Sequence, residues 1–215
     1  AVSNVSQIWI DPAPALQSGL IGGYARIGND WATYGANGVT AYAAYSAAIQ
    51  GAGAAANVRA AAAQTITSDN TINSLVWNFN GNLNVGAYAL TLVSGGYIKQ
   101  NNNANSLDGT TGYLTAGAGD GVPAALNVFQ NANQVLTWSA LVKDNPVGSG
   151  NPVMFVKDGA GPGSVSFTQA SDNDYSGGTF VNTGTLQTGG ADSRKYLGKG
   201  PVLVDNAFLG LGAAG

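Results

Sequence analysis

The chain contains no histidine, no cysteine and no glutamate, so its eleven acidic residues are all aspartates. The commonest general base, the commonest metal ligand and the thiolate nucleophile are thereby missing. What remains for chemistry is carboxylate pairs. Glycoside hydrolysis needs two carboxyl groups facing each other at a defined separation. Asp144 and Asp158, or Asp158 and Asp172, lie fourteen residues apart, a spacing that does not assure one shared face. Most aspartates also sit in turn motifs that already account for them. Asp172, Asp174 and Ser176 followed by Gly177 form the first half of a calcium loop, yet Thr183 stands where the bidentate Glu belongs, so a solvated turn is the expectation. Lys199 follows Gly198 as in a phosphate-binding loop, but Gly200 replaces the Ser or Thr and no glycine stands five positions earlier. Asn4-Val5-Ser6 fits a glycan acceptor triplet and reads as coincidence. No cofactor and no metal are expected.

A second group of residues could bind rather than react. Tyr24, Trp31, Tyr34, Tyr42 and Tyr45 are rings that bury large areas while keeping a polar tip, suited to stacking on a sugar or to a protein contact. The blander expectation, that they cap the end of a core or form a subunit contact, is favoured over sugar binding.

The elements that must position these residues follow from composition. Of 215 residues, 32 are glycine and only 9% are charged, with a formal net charge of −3. The surface must therefore be Asn, Thr, Ser, Gln and backbone, which suits tightly turned strands. Runs such as "TINSLVWNF", "ALTLV", "ALNVFQ", "VMFVK", "SVSFTQ", "TFVN" and "TLQT" alternate or are β-rich, and Gly, Asn, Asp or Pro bounds each of them. No helical period runs for a dozen residues, which argues against helical crossovers. The eight basic residues are scattered, so no stripe exists to neutralise phosphates and nucleic acid is not an expected partner. The Ala-rich tract from Ala41 to Ala63 is interrupted by Gly51, Gly53, Asn57 and Arg59, and no membrane span is expected from it. The chain opens at Ala1 without a basic and apolar leader, consistent with a signal peptide removed or never present.

The run "KDGAGPGSVSFTQASDNDYSGGTFVNTGTLQTGG" resembles the autotransporter-associated β-strand repeat. Lys157, Asp158, Gly159, Ala160 and Gly161 match its lead-in; Asn173, Tyr175, Gly177, Gly178 and Thr179 match its turn; Gly184, Thr185 and Leu186 match its last strand. Pro162-Gly163 and Phe167 depart mildly from the pattern. The resemblance implies an all-β fold, a right-handed parallel β-helix (β-solenoid), in a bacterial surface protein whose repeats have no assigned catalytic residues. On it, residues 1–64 form a less regular N-terminal capping or interface region with a short helix possible, and residues 65–215 form β-solenoid coils that include the repeat at 157–190. Coils of about twenty to twenty-five residues, stacked about 4.8 Å apart, give about six or seven coils and a length on the order of 30 Å. Leu90, Leu92, Val165, Phe167 and Leu186 are expected inside.

The function expected is a non-enzymatic extracellular structural protein at the bacterial cell surface: a subunit of a self-assembling fibre, or a stalk segment of a large exported passenger. An adhesin module binding glycan through the N-terminal aromatics is the alternative, and a polysaccharide-degrading enzyme the third. The apolar stretch at the C-terminal end, "VLVDNAFLGL", carries no polar cap, so head-to-tail self-association is expected, with "AVSNVSQIWI" or "TAYAAY" of one copy docking on the open end of the next.

Overall fold

The computed structural model describes residues 7–148, 151–159, 161–190 and 193–212. The Asn4-Val5-Ser6 triplet and part of the "AVSNVSQIWI" segment lie outside these residues. In chain order the first three strands are β1 (Arg26–Ile27), β2 (Asp30–Gly35) and β3 (Gly38–Ala41), joined as an antiparallel sheet. Then come β4 (Asn57–Ala60), β5 (Gln64–Thr65), β6 (Asn70–Trp77), β7 (Leu83–Gly86), β8 (Ala89–Lys99), β9 (Asn105–Gly109), β10 (Tyr113–Ala116), β11 (Ala124–Gln130), β12 (Leu136–Trp138) and β13 (Leu141–Val142). The chain continues through β14 (Val153–Asp158), β15 (Ser164–Phe167), β16 (Thr179–Val181), β17 (Gly184–Thr188), the short helix α1 (Ser193–Leu197), β18 (Val202–Val204) and β19 (Ala207–Gly210).

Strands β4 to β19 sort into two parallel sheets. Nine form one sheet, in which β4, β6, β8, β11, β14, β16 and β18 follow one another and β10 and β13 branch from β8. The other seven form the facing sheet, β5-β7-β9-β12-β15-β17-β19. The chain passes repeatedly from the first sheet to the second and back, so each pass adds one layer. Between the sheets lies a continuous apolar core. Tyr97, Val128, Phe155 and Val181 enter it from the nine-stranded sheet, and Leu107, Trp138, Phe167 and Leu186 from the seven-stranded one. Aromatic rings link the layers: Trp138 stands 5.8 Å from Tyr97, 5.7 Å from Phe155 and 5.9 Å from Phe167. Each such pair adds about 0.5–1.5 kcal/mol beyond area burial.

The expectation of an all-β, right-handed parallel β-helix is corrected by this arrangement. The strands form two separate parallel sheets, with an antiparallel sheet and a helix beside them, and no single coil length describes them. Register partners in the nine-stranded sheet lie as close as Asn57 and Ser74 and as far apart as Gly96 and Asn127. The physical cause is β8. Its first half pairs with β10 and its second half with β11, and it turns between them at Gly95 and Gly96. Gly95 holds φ +72° with Ala125 O against the position a Cβ would take, so only glycine permits the branch. Parallel pairing also begins at Asn57, ahead of the expected Thr65.

Within the N-terminal region, Ser46 and Ile49 cover the β4 end of the stack, whereas the three antiparallel strands do not sit at that end. The β1–β3 sheet lies against the outer face of the nine-stranded sheet, where Trp31 and Leu20 pack on Val76, Ile98 and Phe129. These three residues alternate with the inward Leu75, Trp77, Tyr97 and Val128, as strand geometry requires. Trp31 fills the space above Gly96, whose absent Cβ would lie 2.6 Å from the indole. Expected apolar columns are present: Leu90, Leu92, Val165, Phe167 and Leu186 are all fully buried.

Candidate interface at the open edge of the parallel sheets

The repeat-turn residues are brought together, and they join neighbouring layers. Asn173 accepts the Val142 N–H at 2.7 Å and donates to Tyr196 O at 2.6 Å, so one amide spans three layers. Tyr175 is fully buried, its hydroxyl 2.5 Å from Thr179 Oγ1. Burial raises its phenol pKa above the ordinary value. Thr179 in turn donates to Leu197 O at 2.9 Å. Gly177 N–H donates to Val153 O, and Gly178 turns the chain at φ +97° with Pro201 O where a Cβ would fall. Gly184 lies beside the Lys157 ammonium, and Leu186 enters the core.

The aspartates are used in the same way. Asp69 accepts the Ala89 N–H at 2.9 Å; Asp108 accepts from Ser139 at 3.4 Å; Asp144 accepts Ser176 N–H and Oγ at 2.9 and 2.7 Å; Asp158 accepts Thr183 Oγ1 at 2.6 Å. Each carboxylate thus grips the following layer. Asp174, half of the suspected calcium turn, forms an ion pair with Lys199, which raises the lysine's pKa, while Asp172 stays exposed. Among the described residues no three His, Cys, Asp or Glu side chains gather as metal ligands would. No helix among them is long and apolar enough to cross a membrane.

A row of buried donors escaped the sequence reading. Where strands of the nine-stranded sheet end, Trp77 Nε1 donates to Gly81 O (3.0 Å), Lys99 Nζ to Asn103 O (2.7 Å) and Gln130 Nε2 to Gln134 O (2.6 Å), each four residues on. Register places these three side by side. Lys157 is displaced by two positions and reaches Asp158 O, Gly159 O and Thr183 O at 2.9, 3.3 and 2.9 Å. Both lysines are fully buried, and among the described residues neither ammonium forms an ion pair, although the Asp158 charge favours the charged form of Lys157. Burial lowers each pKa to about 8, although the carbonyl dipoles favour the charged form. The legible signal was an apolar run ending in a long donor before an Asn- or Gly-rich turn.

The five N-terminal aromatics do not form one platform. Trp31 is fully buried. Tyr42 and Tyr45 pack edge to face at 5.0 Å, and Tyr45 lies under the Arg59 guanidinium, 4.2 Å from its ring centroid. Tyr45 OH accepts Trp31 N–H and donates to Asp30, which pairs with Arg59. Burial raises its pKa. Tyr34 OH accepts Ile10 N–H at 3.3 Å and donates to Ile10 O at 2.9 Å. Tyr24 alone of the five is well exposed. Beside them Trp9, an exposed aromatic not singled out from the sequence, stands edge-on to Tyr34 at 6.4 Å.

The two ends of the stack differ. At β4 the edge is covered: Ser46 N–H donates to Asn57 O and Arg59 N–H to Ser46 O, both at 2.8 Å, while Ile49 plugs the core. At β18 and β19 the core columns run out into solvent. Buried Thr179 and Val181 pair with Val202 and Val204, and buried Leu186 with Leu209. Leu203 is 55% exposed and Phe208 76%. A groove of about 420 Å³ runs alongside, lined by Asp172, Asn173, Leu197, Gly198, Lys199, Gly200 and Val202. An edge of this kind can accept a further strand. The chain matches no family model, no curated protein and no solved structure.

Proposed function

We propose that the chain is a non-enzymatic structural segment of an extracellular protein, forming part of a bacterial surface fibre or of the stalk of an exported passenger. The observation that carries this is the use made of its polar side chains. Asp69, Asp108, Asp144 and Asp158 each hold the next layer, and Lys99, Gln130 and Lys157 hold turn carbonyls. Groups that could do chemistry are spent on joining layers. The resemblance of residues 157–190 to the autotransporter-associated repeat supports the same reading. The packing of Trp31, Tyr42 and Tyr45 away from solvent or against each other favours this reading over the adhesin alternative.

Force spectroscopy tests the proposal. Held at residues 7 and 212, the chain should release layer by layer, in steps of roughly 60–110 Å, since about twenty to thirty residues extend by at most about 3.3–3.6 Å each. One featureless extension, with no separable layers, would refute a mechanical role.

A further inference from the structure

We infer that Asn37, at the tip of the β2–β3 hairpin, is a site of spontaneous modification: its carboxamide cyclises onto the Gly38 amide nitrogen and opens to isoaspartate, which unseats the Gln7–Ile10 segment. The reaction needs no reactant but water and is independent of the structural role proposed above.

The chain contains two Asn-Gly pairs, Asn37-Gly38 and Asn80-Gly81. In such a pair the glycine nitrogen reaches the asparagine Cγ because no Cβ shields it. The bond from glycine N to Cγ forms as the N–H proton is lost to solvent base; Nδ2 takes up a proton and leaves as ammonia, and a five-membered imide results. Water then adds to one of the two imide carbonyls. Opening at the backbone carbonyl leaves isoaspartate, whose main chain runs through the former side chain and is one atom longer; opening at the other gives aspartate.

Both asparagines are exposed, so access does not separate them. What separates them is the hold on the peptide that must swing. Around Gly81 three hydrogen bonds resist: its carbonyl accepts from Trp77 Nε1 at 3.0 Å and from Asn105 Nδ2 at 2.9 Å, and its N–H donates to Phe79 O at 3.1 Å. Asn105 belongs to β9 of the next layer, so moving this peptide disturbs the stack. Asn37 instead lies in an exposed two-residue loop, Ala36-Asn37, beyond the last hairpin pair of Gly35 with Gly38. The end of a peripheral ladder frays at far lower cost than a layer opens.

The modification also has something to move. Gly38 holds φ +72° with Ile8 O against the position a Cβ would take, and Val39 N–H donates to Ile8 O at 2.9 Å. An extra main-chain atom at residue 37 shifts Gly38 and Val39 against that carbonyl. The segment then keeps only the Tyr34 hydroxyl at Ile10.

The test ages the whole chain, folded and urea-unfolded, in mildly alkaline buffer made with heavy-oxygen water, because the water that opens the imide leaves its oxygen in the product. Peptides are read by mass spectrometry. Unfolded, the two pairs should react alike. Folding should slow Asn80 at least about tenfold, the opening factor of three broken hydrogen bonds, and Asn37 less than about threefold. Asn37→Gln should remove the reaction, since a six-membered imide closes far more slowly. Hydrogen exchange in the peptide covering β3 should speed up in proportion to isoaspartate in the aged chain, and not in aged Asn37→Gln. Asn80 reacting as fast as Asn37 in the folded chain, or folding slowing both equally, would overturn the site. Isoaspartate at residue 37 with unchanged exchange in β3 would overturn the unseating.

Discussion

Replacing Trp31 by Ala should undock the N-terminal sheet without opening the parallel stack. The indole is fully buried between Phe129, whose ring centroid lies 5.9 Å away, and the Gly96 backbone. Truncating a buried Trp costs about 3–5 kcal/mol. What else holds β1–β3 is modest: the Asp30–Arg59 pair under Tyr45, Asn57 Nδ2 donating to Ser18 O at 2.8 Å, and Asn131 Nδ2 donating to Asn29 Oδ1 at 3.1 Å. A neutral hydrogen bond contributes a net ~1 kcal/mol, so the indole is the largest single contribution. Loss of about 3 kcal/mol of local stability speeds amide exchange by opening roughly a hundredfold or more. Hydrogen exchange read by mass spectrometry should show this acceleration in peptides covering β2 and β3, with β12, β15 and β17 unchanged. Equal acceleration in β12, β15 and β17 would refute the reasoning, because the antiparallel sheet would then be part of one cooperative unit.

Other outcomes are expected. Trp138→Ala removes the ring that touches Tyr97, Phe155 and Phe167, and should cost about 3–5 kcal/mol in chemical denaturation, shared by all layers. Lys157→Met keeps the stem but leaves three carbonyls without their donor, so a loss of about 1–3 kcal/mol is expected from the same assay. Lys99 and Lys157 have folded pKa values of about 8 against an ordinary 10.5, so between these values the unfolded chain binds the extra protons. Stability should therefore rise from pH 8 towards pH 10 in isothermal urea titrations, and the double variant Lys99→Met/Lys157→Met should flatten that slope. Above pH 10 the buried Tyr97 and Tyr175 phenols, both raised by burial, oppose the trend. Two residues inserted after Asn102 should cost well beyond the few tenths of a kcal/mol of loop lengthening alone, because they separate Lys99 from the Asn103 carbonyl it holds, a loss read in the same denaturation assay.

Much of the interior was legible. Period-two runs put Leu90, Val165, Phe167 and Leu186 inside, and Gly-, Asn- and Asp-bounded turns separated the strands, because alternation and turn chemistry are local signals. Three features were not local. The branching of β8 depends on Ala125 O meeting Gly95 across thirty residues of chain. The N-terminal aromatics read as a cap or platform because burial of Trp31 depends on the absent Cβ of Gly96. The aspartate spacing of fourteen, which assures no shared face for catalysis, is explained only by seeing that Asp144 and Asp158 hold Ser176 and Thr183 of the next layer.

The buried donors explain how a stack with such uneven spacing keeps its register. Lys99 pairs with Gln130, and Leu107 pairs with Trp138, so the turn from one sheet to the other is the same length in both layers. In each, a buried donor closes that turn onto a carbonyl four residues on. Variation falls on the return instead, where β10 and β13 are inserted between Leu107 and Gln130 and after Trp138. A turn carbonyl facing the core would be costly without a partner, and an ammonium placed there would be costlier still. Each satisfies the other only at one turn geometry. The braced turns after Lys99 and Gln130 hold the register of their two layers, and the return lengthens by inserted strands, which is why an insertion in a braced turn should be costly.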